Sequence, residues 1–456
     1  MVFTIIFFVI ISIIFAIIIG IMKSAENRKN NDAADTLVHE REESKRLEAD
    51  AKKQREANEK NKKNTVTQNT GSNTIHNIVC PFCYEEFKPR DVRFRFDFNG
   101  VPVYLSANPN SEETKKFCRE NGNLFAYITE RNGLPVKCVL CRQDNTVLSE
   151  SPLRVCRNDK CNQPLSVNAG TYSADNGLFV IGLKSSGKTV YITTAINRLK
   201  EIIPKYFGCN FRDYNQNVTS EYYDKYYNVM YNNKTLPDAT VARSQLTCEV
   251  VNNNLMRTVG ITFSDIAGEI SDNANEIFQG DTQKIMSHSN YFLMTIDLKE
   301  INRDTMSSAQ TVNIINNVLS LATIDEDKKR NKYLAVVITK SDELVNFDQG
   351  KKGAEAFRRD MSYASPIFRE VKYDMASFNS ERAEINRLIK QYMWENHPGI
   401  VQAAETAFYS ENINYFAVSA LGQAPVEGKL VSNIVPVRVE EPVLWLLGRS
   451  GVLQGE

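Results

Sequence analysis

The chain opens on a run with no polar face. Residues 2–22 are almost wholly Ile, Phe and Val, broken by Thr4, Ser12 and Gly20, and the run is long enough to cross a bilayer as one helix. A signal peptide would carry Lys or Arg ahead of a shorter apolar stretch, with a small-x-small cleavage site behind it. A buried helix of a soluble core is the other reading, disfavoured by the position of the run at the terminus. Lys23, Arg28 and Lys29 follow, so the body of the chain is expected on the cytoplasmic side of a membrane. Residues 24–64 reverse the pattern: they are dense in Glu, Lys, Arg, Ala and Asn, and their only large aliphatics are Leu37, Val38 and Leu47. Helical propensity without a sustained apolar seam predicts a solvated stalk, with weak self-association at most. Residues 65–77 are polar and turn-rich, as in a flexible linker.

Further on, short apolar runs alternate with helical spacing. The runs are LFVI at 178–181, VGITFSD at 259–265, LAVVIT at 334–339 and NYFAV at 414–418; VYITTAINRL at 190–199 has its apolar residues at helical intervals. Short buried runs between helical stretches predict an α/β fold with a mainly parallel sheet. A length of 456 residues gives a prior of two to four domains, and 42% hydrophobic residues suffice for a core. Lys+Arg and Asp+Glu both total 55, so net charge indicates no polyanionic partner.

The strand ends carry the chemistry. Residues 182–189 read GLKSSGKT, between a predicted strand and a predicted helix. Glycines let backbone N–H groups turn inward, and the helix adds its positive dipole end, so the loop can cradle phosphates. Gly182, Lys184, Ser185, Ser186, Gly187, Lys188, Thr189 and Val190 are the candidate contacts. Lys188 would reach the β- and γ-phosphates, and the Thr189 hydroxyl would ligate Mg²⁺. Asp265 ends the second run and opens D-x-x-G. It can hold Mg²⁺ through water, while the Gly268 N–H can approach a γ-phosphate. Thr339, Lys340 and Asp342 form T-K-x-D. Asp342 can accept from the ring N–H and the exocyclic amine of guanine, an arrangement adenine lacks, and a site left unpaired by the wrong partner rejects it by roughly 10⁴-fold. Lys340 would lay its alkyl stem along the base. Ser419, Ala420 and Leu421 end the last strand, where a backbone N–H can meet guanine O6.

With four such motifs in order, the chain resembles the Ras-like GTPase superfamily over roughly residues 177–422. VRVEEPVLWLL at 437–447 and the long segment between the phosphate loop and D-x-x-G resemble the bacterial double-GTPase domain family. The resemblance implies a P-loop three-layer sandwich that binds GTP or GDP with Mg²⁺. It also implies a switch threonine that meets both Mg²⁺ and the γ-phosphate. Thr240, just before a strand-like run at 245–250, is the choice, and Thr235 is the second candidate. Catalysis would then rest on Lys188, Thr240 and Glu269. Glu269 departs from the pattern, since it follows Gly268 where a water-orienting Gln is common, and a carboxylate there needs a neutralising cation. Lys184, at a loop position often small, either places a charge near the phosphates or points to solvent. Arg243 and Arg257 are candidate charge-stabilising partners. The tyrosines Tyr222, Tyr223, Tyr226, Tyr227 and Tyr231 are expected to pack an inserted helix.

Seven of the nine cysteines lie in residues 78–170 and change the picture of that region. Six form three pairs: Cys80 with Cys83, Cys138 with Cys141, and Cys156 with Cys161. In a reducing compartment such pairs predict Zn²⁺ held by thiolates. Cys80, Cys83, Cys156 and Cys161 are the preferred four, because the stretch after Cys161 resembles the second knuckle of a zinc ribbon; Cys138 and Cys141 could replace either pair. Disulfides are the alternative for an extracellular body, and redox catalysis lacks its strand-helix context. Nucleic acid is disfavoured as a partner: Arg90, Arg93 and Arg95 along one predicted strand read as a solvated face. The whole reads as a membrane-anchored, cytoplasm-facing GTPase, slow without a protein effector or GTP-dependent self-association. The alternatives are a non-hydrolysing nucleotide-binding scaffold and a membrane-remodelling GTPase.

Overall fold

Among the described residues of the computed structural model, eight short strands precede the strand that leads into the phosphate-type loop. The described residues are 75–172, 177–182, 186–214, 220–238, 244–265, 288–303, 309, 312–313, 316, 330–342 and 374–453. The apolar run 2–22 and the expected stalk lie outside them. Among the described residues no helix is long and apolar enough to cross a membrane.

β1 (Ile78–Val79) and β2 (Glu86–Phe87) form a small hairpin. β3 (Arg93–Phe98), β4 (Val101–Ser106) and, later in the chain, β8 (Arg154–Val155) form one antiparallel sheet; β5 (Phe125–Arg131), β6 (Leu134–Cys141) and β7 (Val147–Ser151) form another. The β3–β4 and β5–β6 turns are Asn-Gly pairs, Asn99-Gly100 and Asn132-Gly133, with φ of 52° and 78°, and 53° and 77°. Both central residues at positive φ match the right-handed twist of the strands they join. α1 (Glu112–Glu120) starts at Ser111, whose hydroxyl accepts from the Thr114 N–H at 3.2 Å, satisfying a helix-end donor. Phe94, Phe96, Leu105 and Leu140 fill the core between these elements. Arg93 corrects the expectation of a solvated basic face. It is buried and paired with Asp159 and with Glu113, the latter at 2.6 Å, so it ties β3 to α1 and to the Cys156–Cys161 segment.

The five expected strands and two that were not expected, at 210–213 and 289–297, then assemble into one seven-stranded mixed sheet. They are β9 (Gly177–Gly182), β10 (Asn210–Asp213), β11 (Ser244–Asn252), β12 (Arg257–Asp265), β13 (Ser289–Asp297), β14 (Tyr333–Thr339) and β15 (Ile413–Ala417), in the order β10-β11-β12-β9-β13-β14-β15. β12, β9, β13, β14 and β15 pair parallel; β10, β11 and β12 pair antiparallel. Side chains alternate between the faces. Leu178, Val180, Ala335 and Val337 pack with α2 (Lys188–Phe207). Phe179, Ile181, Val336 and Ile338 pack on the other face with Leu298 and Ile301 of α3 (Leu298–Arg303), the C-terminal half of α4 (Met375–Asn396), and α5 (Pro398–Ala407). α6 (Glu441–Ser450) joins α2, burying Trp445, Leu444 and Leu447. Each large apolar side chain buried this way contributes about 1.5–3 kcal/mol, and the result is the helix-sheet-helix layering predicted for the chain. Of the tyrosine group, Tyr222 and Tyr226 are buried, while Tyr227 and Tyr231 stack at 4.4 Å on a less buried surface.

The cysteine-rich region rests on the β11–β12 hairpin. Glu249, only 3% exposed, accepts from Tyr172 Oη at 2.8 Å and Asn168 Nδ2 at 3.0 Å. Gly260, paired with Glu249 across the hairpin, has no room for a side chain: a Cβ would lie 2.7 Å from Tyr172 Oη. Burial, then Glu249, holds the Tyr172 phenol well above its usual range.

Candidate functional site

The C-terminal ends of four parallel strands bring the predicted residues together. β9 ends at Gly182, where a Cβ would collide with the Thr295 side chain and backbone of β13, so only glycine permits the approach. Gly187 takes the left-handed conformation, φ 82°, and α2 starts one residue later. The Lys188 side chain folds back, and Nζ donates to the Gly182 carbonyl at 2.9 Å while only 7% of the residue is exposed. An ammonium held against the first carbonyl of a phosphate-type loop, at the positive end of a 20-residue helix, is well placed to meet an anion.

Hydrogen bonds lock the loop to its neighbours. Ser186 and Thr295 share a bond at 2.8 Å, and Thr339 Oγ1 donates to the Ser186 carbonyl at 2.7 Å. Lys340 follows at φ 53°, and its Nζ meets Asp297 Oδ2 at 2.7 Å. A Cβ on Gly187 would sit 4.0 Å from Lys340 Cε, so the lysine stem runs beside the residue that precedes α2. Asp342 stands two residues on, half-buried. Ser341 N–H donates to the Val418 carbonyl at 3.1 Å, tying the T-K-x-D turn to the segment that leads into Ser419, Ala420 and Leu421. Thr189 lies in the first turn of α2, where its carbonyl accepts from Thr193 Oγ1 at 2.8 Å; Thr193 also meets Tyr222 Oη at 3.0 Å. Asp265 is the last residue of β12, opposite Val180 of β9.

Lys184, Ser185, Thr240, Arg243, Gly268 and Glu269 lie outside the described residues. Thr235 is fixed elsewhere, bridged to Lys429 and donating its N–H to the Val229 carbonyl at 3.1 Å. Arg257 is a correction. It starts the nine-residue β12 that Asp265 ends, and it donates to the Gly451 carbonyl at 3.2 Å. At about 3.3 Å per residue it stands roughly 26 Å from the phosphate end. Sequence reading missed Asp297. It ends an apolar run, SNYFLMTID at 289–297, by the same signal that marked Asp265.

A second convergence lies in the cysteine-rich region. The Sγ atoms of Cys80, Cys83, Cys156 and Cys161 all lie within 4.8 Å of one another, with Cys80–Cys161 at 3.7 Å and Cys83–Cys156 at 3.6 Å. A disulfide would need about 2.05 Å. A tetrahedral ion with metal–sulfur bonds of about 2.3 Å would need sulfurs about 3.8 Å apart, which these distances approach. The Cys156 sulfur, ahead of the other two and of burial, pushes the Cys80 thiol up; the same sulfur draws Cys83 down. Thiolates gathered this closely repel one another, and a bound cation would balance their charge. Cys138 and Cys141 lie on β6 in the buried core and are not in this group.

Residues 178–393 match the family model Double-GTPase 2. No curated protein matches the chain. Among solved structures, the S. cerevisiae Ski7 GTPase-like domain bound to GDP and inorganic phosphate is 11% identical, covering 62% of this chain and 51% of its own, at a TM-score of 0.28. Sup35 complexed with GDP is 11% identical, covering 54% of this chain and 37% of its own, at 0.19. The chain therefore spans about half or less of the length of these structures. The family model thus matches the stretch that holds the phosphate-type loop and most strands of the mixed α/β sheet, and it agrees with the resemblance that the motifs carry.

Proposed function

We propose that the chain binds guanine nucleotide at the strand ends described above and hydrolyses GTP to GDP and phosphate as a conformational switch. The observation that carries this reading is the convergence of Lys188, Thr339, Lys340 and the Ser341–Val418 bond on one end of the sheet. The phosphates would lie over the N-terminus of α2 and Lys188. Guanine would lie along Lys340, with Asp342 on its amine edge and the backbone of residues 419–421 at O6. Oxygen donors suit Mg²⁺: Thr189 and Asp265 would hold it, with Thr240 from the switch segment, and the ion would neutralise phosphate charge. Glu269 would face the attacking water. Zn²⁺ would be held by Cys80, Cys83, Cys156 and Cys161 in a structural role, since four thiolates leave no open position.

Residues 2–22 would anchor the chain in a membrane with the body in the cytoplasm, where a protein effector or a second copy could read the switch. Protease added to intact cells should then spare the body, and deletion of residues 1–23 should release it from membranes. Phosphate release by the full-length chain with GTP and with ATP tests the enzymatic claim. Slow turnover, with Glu269→Gln leaving the basal rate unchanged or raised, fits a switch that needs a partner. A fast rate that collapses in Glu269→Gln would make Glu269 a working catalytic group. The residue itself motivates a second reading, a scaffold that binds nucleotide without turning it over. Tight GTP binding with no phosphate release in the presence of any protein partner or at any concentration would favour it.

A further inference from the structure

The excursion that carries residues 419–421 is rooted in β15, which it leaves after Ala417, and in the first turn of α6, to which it returns through Val435, Val437 and Arg438. In the outgoing root the contacts lie inside β15, ahead of the exit: the Arg382 guanidinium of α4 donates to the Tyr415 carbonyl and to Asn414 Oδ1 at 3.3 Å, and lies 4.2 Å from the Phe416 ring centroid. On the returning root, Arg438 Nε donates to Glu441 Oε1 at 2.8 Å. Glu441 Oε2 accepts from Arg382 Nη1 at 3.0 Å and so joins the two roots. The three side chains are 3%, 3% and 1% exposed for Arg382, Arg438 and Glu441.

Above the cluster the two limbs pair like a short ladder. Ser419 and Val437 exchange N–H bonds at 3.0 and 2.8 Å, and the Val435 N–H donates to the Leu421 carbonyl at 3.0 Å. Gly422, at φ 71°, sits where a Cβ would strike the Val435 carbonyl. Arg438 holds φ 58°, uncommon for a residue with a side chain. The ladder commits the Ser419 N–H to Val437, so Ala420 and Leu421 supply the next donors along the loop. Apolar residues of similar volume would hold these elements without the desolvation cost of buried charge; charge is retained to advantage where one arrangement must be specified over others.

We propose that Arg382, Glu441 and Arg438 are positioning residues for base recognition. They clasp the two roots so that the N–H groups of residues 420–421 stand opposite guanine O6, while the Ser341–Val418 bond keeps Asp342 in register with them. None of the three touches the nucleotide. The proposal rests on the guanine reading above and adds the device that sets its selectivity.

The test is equilibrium binding of GTP and ATP to the full-length chain in detergent, for wild type, Glu441→Gln and Val435→Pro. Glu441→Gln removes the charge at the centre of the clasp. Val435→Pro removes the N–H that holds Leu421, at a residue 65% exposed, and decides the matter if Glu441→Gln fails to fold. Each variant is expected to weaken GTP by about tenfold, as for one misplaced hydrogen bond to the base, and to leave ATP unchanged. A merely structural role would lower both affinities together; that result, or no change in either, overturns the proposal. A wild type that binds ATP as tightly as GTP sinks the guanine reading and the proposal with it. A discriminating wild type with indifferent variants sinks the proposal alone.

Discussion

The cysteine cluster and the strand-end site gather polar groups in opposite ways. The four sulfurs come from two short segments, each with its pair set by local spacing, in a region of short strands and one nine-residue helix. The strand-end site takes Lys188, Asp297, Thr339 and Ser419 from separate crossovers of a sheet covered on both faces by apolar side chains. The first region is therefore expected to depend on a cross-link for its fold, as small cores do. The second depends on its apolar core and can spare its polar residues for binding. Substitutions should sort accordingly: loss of fold in one region, loss of ligand in the other.

The largest effect should come from withdrawing the zinc ion proposed for Cys80, Cys83, Cys156 and Cys161. In small structural sites a zinc ion contributes on the order of 10–16 kcal/mol. Chelation, or Cys156→Ser, should abolish hydrogen-exchange protection in residues 75–172 and leave protection in β9, β13 and β14. Full protection without metal would erase the contrast. Acid should act in the same direction, because protonated thiols release the ion.

Lys188→Met comes next. It should weaken GTP by roughly 10–100-fold, the usual worth of one hydrogen bond to a charged group, with the melting temperature little changed. Unfolding instead of lost binding would show that Lys188 serves the fold through its bond to Gly182.

A smaller effect is expected where the regions meet. Gly260→Ala places a methyl against the Tyr172 ring and should destabilise the chain by about 1–3 kcal/mol, as overpacking does. Calorimetry would measure it; a neutral result would mean the hairpin and Tyr172 can part without cost.

The smallest effect concerns the third cysteine pair. Burial, then Cys118, pushes the Cys138 thiol up to about 12, so it stays protonated and inert. Cys138→Ser should leave metal content at the wild-type value, and iodoacetamide at about pH 8 should spare Cys138 in the native protein. Loss of metal in this variant would return Cys138 to the ligand set.

The strands around the phosphate loop were legible because short apolar runs ended in Gly, Asp or Lys, and the sheet buries those runs on both faces. The preferred four cysteines, chosen because the stretch after Cys161 resembles a zinc-ribbon knuckle, are the four that converge; spacing alone left Cys138 and Cys141 open, because burial on β6 leaves no mark in C-x-x-C. Arg93 was misread for a related reason. A basic strand looks solvated until Glu113 and Asp159 arrive from elsewhere in the chain. The clasp of Arg382, Glu441 and Arg438 was invisible, since its members come from separate elements and share no motif. Asp297 could have been found, as it repeats the strand-ending carboxylate of Asp265.

The central claim is a guanine nucleotide site at the ends of β9, β13, β14 and β15. Binding of GTP, ATP and XTP to the wild type and to Asp342→Asn tests it most directly. The account expects the wild type to favour GTP over ATP by roughly 10⁴-fold. In Asp342→Asn the side-chain amide can donate to the xanthine C2 carbonyl, so preference should shift from GTP toward XTP. Tighter binding of ATP than GTP by the wild type, or an Asp342→Asn variant with unaltered base preference, would contradict the claim.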